Sequence, residues 1–448
     1  MHKTALVTAA WLACVAAAAP AQAQGFFGGL FGGAAATGKE DAPTDVQAQA
    51  TALAGRQEAW LRPLATTLYV EGEWGSVLNL QRLGLAAMER QRTDLAAKAF
   101  DQAIQRVEAI YANDANAAKA RSLFNAETVK DFKGEPYERA MLYYYRGVLY
   151  LHEGDYQNAR AAFLAADRHD TLSSAEETAF VGNFGLMKYL ASWASQCDGD
   201  GIRAAQLLEE ARGADAKVLA LPEKPGPALL LVDSGPAPEK WGDGAYREIL
   251  KFRPGSAVLP QLQLSVSGQA QPLMQAGDVT LQATTRGGRE VDGIMAGKAR
   301  FKDGAGAVGN TALNAGLQVA MVGSSLNDRG MANLGLAGML LGMVAKSVEK
   351  AVTPAADVRA WDTLPAQVML ATMPELSPAA LTLTVDGTPA VPALHASKGS
   401  CSVTWLRTAA GSAAGIEGAQ ALVPVERSRG DRNRAFRAML TSELLATP

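Results

Sequence analysis

Cysteine and histidine are scarce in this chain: its 448 residues hold three cysteines, Cys14, Cys197 and Cys401, and four histidines. So few thiols build neither a zinc site nor a disulfide framework. Charge of one sign is lacking too, because 42 Lys and Arg stand against 45 Asp and Glu, for a net −3. No basic surface is available to neutralise phosphates, which excludes nucleic acid as a partner. Catalytic signatures are missing: there is no HExxH, no GxSxG and no Cys and His pair in a plausible frame. Carboxylates such as Glu71 with Glu73, or Glu176 with Glu177, carry nothing that separates them from a solvated face. His152 and His169 fall near the end of a helical unit, where solvated positions are expected. The expectation is a protein that is not an enzyme and holds no metal or cofactor.

What is present suits a folded, multidomain chain, with 48% hydrophobic and 19% charged residues. "MHKTALVTAAWLACVAAAAPAQAQ" has a basic start, an apolar run from Ala5 to Ala19 and small residues at Ala21 and Ala23. This reads as a secretory signal, residues 1–23, cleaved after Ala23. "WLAC" ends in a small residue and Cys14, so lipidation at Cys14 is a rival route. Either way the protein is exported, to the periplasm or outer membrane of a bacterium. Residues 24–45 are Gly-rich and then polar, a flexible linker in which Phe26, Phe27, Leu30 and Phe31 are unusual.

Residues 46–220 read as helical. Around Gly147, an aromatic lies four before at Tyr143 and a tyrosine three after at Tyr150. Ala159, Phe163 and Ala166 follow at plus twelve, plus sixteen and plus nineteen. This is tetratricopeptide spacing, in which small residues let two antiparallel helices approach and the large ones fill the seam. Gly84, Ala96, Phe100 and Ala103 repeat the offsets, 63 residues upstream, with Ala87 in place of the tyrosine. A third pair near Glu176–Ala194 and Ile202–Ala211 matches poorly. Such stacks hold a peptide or a partner domain in a groove. Tyr143, Tyr144 and Tyr145 cannot all face one core, so at least one is expected outside, and Tyr144, Tyr145 and Arg146 are the candidate partner-binding residues.

Prolines cluster between Pro222 and Pro238, where a second domain, 221–408, begins. Strands are predicted at 228–233, 258–267, 278–285, 366–373, 381–387 and 401–408, forming a mostly antiparallel, sandwich-like sheet with one wet face. Within it lies an Ala- and Gly-rich helical insertion, 304–351. Its uncharged runs, with Gly338 and Gly342, read as buried helices covering the sheet, or as a membrane-inserting hairpin. Gly304, Gly306 and Gly309 have dinucleotide-loop spacing but open a helix, and "GIMAGKAR" fails as a phosphate loop. Residues 409–448 are expected to form a C-terminal tail. Because Cys197 and Cys401 fall in different predicted domains, they are expected to stay unpaired.

Three landmarks in order, "FKGEPYERAMLYYYRGVLYLHEGDYQNAR", "GPALLLVDSGPAPEK" and "AADVRAWDTLPAQVMLA", resemble a family of uncharacterised bacterial envelope proteins with tetratricopeptide-like repeats, often lipoproteins. The resemblance spans 132–371 and is most specific at "GEPYER" and "RAWDTLP". It implies an envelope location and a helical repeat domain, and supplies no catalytic residues. The fold class expected is α+β multidomain: an N-terminal tetratricopeptide-like α-solenoid, then the β domain. The function expected is an interaction scaffold for an envelope protein or peptide. The rivals are a membrane-inserting oligomer and a cell-wall enzyme.

Overall fold

The computed structural model describes residues 44–112, 131–171, 184–214, 226–245, 247–284, 356–374, 378–408 and 427–446. The expected signal, the expected linker up to residue 43, the 304–351 insertion and the glycine motifs at 293–309 lie outside the described residues, while Thr44 and Asp45, expected in the linker, open a helix. The coarse order expected from the sequence is observed: a helical region precedes a mostly antiparallel β region that contains a short helix.

Among the described residues, eight α-helices come first: α1 (Thr44–Gly55), α2 (Arg62–Glu71), α3 (Ser76–Glu89), α4 (Thr93–Ala112), α5 (Pro136–Glu153), α6 (Tyr156–Thr171), α7 (Gly185–Cys197) and α8 (Gly201–Ala214). Helix α5 is punctuated at both ends. Pro136 occupies its first turn, and Glu135 and Glu138 form a reciprocal capping box that satisfies two orphan N–H groups. At its other end Gly154 takes the left-handed conformation, φ +81°, and its N–H bonds back to the Leu151 carbonyl. The two-residue link then turns the chain into α6.

The small residues singled out above sit where helices cross. A Cβ on Gly84 would collide with the Phe100 ring, and one on Gly147 with the Phe163 ring. Ala96, Phe100, Ala159, Phe163 and Ala166 are all fully buried. Tyr150 is half-buried, beneath the Arg146 guanidinium at 3.6 Å. Arg146 ties α5 to α4 through Asp101, at 2.7 Å, so adjacent hairpins are joined by charge as well as by packing. The third pair, α7 and α8, is bonded differently, by Ser192 Oγ to the Ala204 carbonyl at 2.6 Å.

The β region opens with β1 (Ala228–Ser234), all seven of whose residues are buried. It is the middle strand of a five-stranded sheet, order β10-β11-β1-β7-β6, with β6 at Met274–Asp278, β7 at Gln367–Met373, β10 at Leu394–Lys398 and β11 at Cys401–Arg407. Only the β1–β11 pair in this sheet is parallel. Alternate side chains diverge as a period of two requires. Leu229, Leu231, Val368, Leu370, Val403 and Trp405 join the helical core, while Leu230, Val232, Ala371 and Leu406 join a second cluster with Leu264 and Leu383.

Those last two residues belong to a four-stranded sheet, β5-β4-β8-β9, built from β4 (Leu262–Val266), β5 (Gln269–Gln271), β8 (Leu381–Val385) and β9 (Thr388–Ala390). The expectation of one wet face is therefore corrected for the larger sheet, which is covered on one side by helices and on the other by a sheet. The smaller sheet is close to a two-fold repeat of itself. "LQLSVSG" and "LTLTVDG" place Leu264 opposite Leu383, and both hairpins turn on two positive-φ residues, Ser267-Gly268 and Asp386-Gly387. Such pairs favour type I′ turns, whose twist suits the strands.

Two further expectations change. The 278–285 stretch was expected to be a strand, but Val279–Thr284 forms a short helix, α9, because Asp278 accepts from the Leu281 N–H at 2.7 Å and caps it. The C-terminal segment carries α10 (Arg427–Met439), extended by a π turn at Leu440–Leu444. It packs back on α2: Arg437 donates to the Tyr69 and Val70 carbonyls, and Phe436 and Leu440 are buried in the helical core. A ribbon of β2 (Glu239–Asp243) and β3 (Ile249–Arg253) completes the described elements.

Gly147→Leu should push α5 and α6 apart and cost about 1 to 3 kcal/mol, as overpacking does. Gln157→Ala, on the exposed face of α6, should be close to silent. Thermal melts that ranked the two the other way would overturn the packing account.

Candidate functional site

Tyr144, Tyr145 and Arg146 do not line an open groove. Both tyrosines are fully buried and Arg146 is 7% exposed, so the expectation of a partner-binding patch there is corrected. Tyr143 is buried as well, and no member of the triplet faces solvent. The physical reason is that α5 is packed from two directions, by neighbouring helices on one side and by β10 and β11 on the other. Each tyrosine hydroxyl finds a carboxylate: Tyr144 and Tyr145 donate to the buried Asp233 at 3.1 and 2.8 Å, and Tyr143 donates to the half-exposed Glu108 at 2.6 Å.

Asp233 closes the apolar run "ALLLVD", next to last in β1, and is fully buried. Burial pushes its carboxyl up to about 6, against the opposing pull of the Tyr145 hydroxyl, the Arg407 charge and the Tyr144 hydroxyl. Arg407, on β11, is itself paired to Glu89 on α3 and donates to the Thr363 carbonyl. Burial drives both tyrosine hydroxyls well above their ordinary range, and the Asp233 charge adds to it. Neither ionises under ordinary conditions.

A second buried centre gathers the segments that carry the family resemblance. Glu138 of "GEPYER" is fully buried and meets the Lys240 ammonium of "GPAPEK" at 2.7 Å, with 1% of the lysine side chain exposed. Trp361 of "RAWDTLP" donates its backbone N–H to the other Glu138 oxygen at 2.8 Å. Lys240 also donates to the Arg359 carbonyl at 2.8 Å and lies over the Phe132 and Tyr137 rings. Burial pulls the lysine below its usual range, and the Glu138 charge opposes that. Arg359 is sandwiched against Trp74, at 4.3 Å, and pairs with Asp357. Three distant stretches are thus tied at one carboxylate. The sequence signal was the polar punctuation inside each landmark, which reading by periodicity passes over.

Chemically these centres are closed. A general acid or base must come within hydrogen-bond reach of a substrate, and Glu138, Lys240 and Asp233 are sealed among aromatic rings. The histidines behave likewise. His169, expected in solvent, is 1% exposed, bonded to Glu108 at 2.9 Å and stacked on Tyr143, and burial lowers its basicity. His152 is half-buried, and His395 bonds the Thr404 hydroxyl at 2.8 Å. Glu71 accepts from Asn79 at 2.6 Å and Glu73 faces Arg106 at 3.6 Å, while Glu176 and Glu177 lie outside the described residues. Among the described residues no group of His, Cys, Asp or Glu could hold a metal ion.

Cys197 and Cys401 form a disulfide, with their Cα atoms 5.9 Å apart, which corrects the expectation of unpaired thiols. The end of α7 and the start of β11 are brought together because α7 packs along the sheet. The expected membrane-spanning association is corrected to this extent: among the described residues, which include neither Cys14 nor 304–351, no helix is long and apolar enough to cross a membrane. No protein family, curated protein or solved structure matches the chain.

Lys240→Met would leave the Glu138 carboxylate buried without its cation, at a cost of about 3 to 5 kcal/mol. Adding Glu138→Gln should restore most of that loss. Urea unfolding that finds the single and double variants equally weak would refute the ion pair as the cause.

Proposed function

We propose that this chain is an exported cell-envelope protein of the kind it resembles, acting without catalysis as an interaction scaffold built on tetratricopeptide-like hairpins. The observation that carries the reading is the Cys197–Cys401 disulfide, since such bonds persist in oxidising compartments. The secretory pattern at Ala21 and Ala23 agrees with it. The interlocked Gly84 with Phe100 and Gly147 with Phe163 support the repeat assignment.

In this reading the inner side of the hairpins is taken by the chain's own sheet, and an external partner meets the outer side. That side is formed by exposed residues of α6 and α8, among them Gln157, Ile202, Gln206 and Glu209. Ile202 is 87% exposed, an apolar anchor ringed by polar groups.

The test is photo-crosslinking in intact bacterial envelopes with the probe at Gln206 or, as a comparison, at Gln263 on the outer face of the small sheet. The reading expects one specific envelope protein or peptide captured from Gln206 and none from Gln263. The mature chain should begin at Gln24 and show linked Cys197 and Cys401 peptides without reductant. An intact Met1 in exported material, or free thiols in the native protein, would contradict it. Cys401→Ser should lower stability by about 2 to 5 kcal/mol in a melt run without reductant, because the bond closes a separation of 204 residues.

A further inference from the structure

Asp233 stands where the helices meet the sheet. The groups that face it are the Tyr144 and Tyr145 hydroxyls from α5, Arg407 and the Trp405 indole from β11 and, behind Arg407, Glu89 from α3. Across the β1–β7 ladder its neighbour is Val368, which does not titrate. Two protonation states fit this geometry. An ionised carboxylate accepts from both tyrosines and is balanced by Arg407. A neutral carboxyl donates its O–H to one tyrosine oxygen and accepts from the other, because a phenol can do either, while Arg407 keeps Glu89.

We propose that Asp233 is a proton-operated contact between the helices and the sheet, taking up one proton as acidity rises and holding the two layers more firmly when it has done so. Burial supports the direction, having moved this carboxyl from an ordinary 3.8 up to about 6. Between those values the folded chain keeps a proton that the unfolded chain has released. The contribution of Asp233 to stability is therefore greatest below that window and falls as pH rises through about 6. Two units of separation correspond to about a hundredfold in the folding equilibrium. Exposed acids run the other way. Glu239 and Asp243, held low by hydrogen bonds from Arg253 and Lys251, lose their stabilising effect on acidification. Asp233 offsets such losses at the one interface where both layers meet.

Difference infrared spectroscopy of the full chain, titrated from pH 7.5 to 4, reads the buried carboxyl directly through its protonated carbonyl stretch. That band is expected to grow with a midpoint near 6 and to vanish in Asp233→Asn. Tyr145→Phe, which removes a donor from the ionised state, should move the midpoint higher and serves if Asp233→Asn does not fold. The unfolding-midpoint difference, wild type minus Asp233→Asn, should shrink as pH rises through the same window. A wild-type chain with no buried-carboxyl band above pH 5, or a band that Tyr145→Phe leaves in place, would overturn the proposal.

Discussion

A helix with no solvent face must satisfy every polar group it carries from within the protein, and α5 is such a helix. Glu138, Arg139, Tyr144, Tyr145 and Arg146 all lie on it, and each is buried. An unpaired polar group in that setting costs about 1 to 3 kcal/mol, and an unpaired charge more. The partners that meet this demand come from both the helical and the β regions: Asp101 and Glu108 from α4, Asp233 from β1, Lys240 from β2 and Trp361 from the approach to β7. The position of the sheet against the helices follows from those bonds. Apolar packing supplies attraction without direction, whereas the Glu138 carboxylate accepts from Lys240 and Trp361 in one geometry.

Much of the scaffold was legible in the sequence, because it rests on local rules. The spacing of Gly147, Ala159 and Phe163 gave α5 and α6, and the apolar run "ALLLVD" gave the buried central strand. What escaped depended on a second layer. Three consecutive tyrosines look incompatible with one core, yet all three lie in it, because helices pack α5 on one side and the sheet on the other, and no periodicity reports that. Val279–Thr284 alternates like a strand and is helical because Asp278 caps it. The ribbon of β2 and β3 has Gly242 and several charges where strand residues are expected, and its one buried ammonium, Lys240, reads as surface until Glu138 is placed beside it.

The same tertiary demand changes the functional picture. Residues that looked like a binding patch are internal ties, and the pairing of Cys197 with Cys401 adds a covalent tie between the same two layers. A protein that spends buried tyrosines, carboxylates and a disulfide on joining helices to sheet is built as a rigid platform. Its chemistry is directed inward, and its outward faces, on α6 and α8, are polar with isolated apolar residues.

Hydrogen exchange measured on α5 and β1 tests this account most directly. If the buried polar ties make helices and sheet one cooperative unit, amides of Met141–Leu149 and Leu229–Val232 should open together, with the same free energy and the same denaturant dependence. Exchange of α5 at a low free energy, while β1 stays protected to global unfolding, would contradict it.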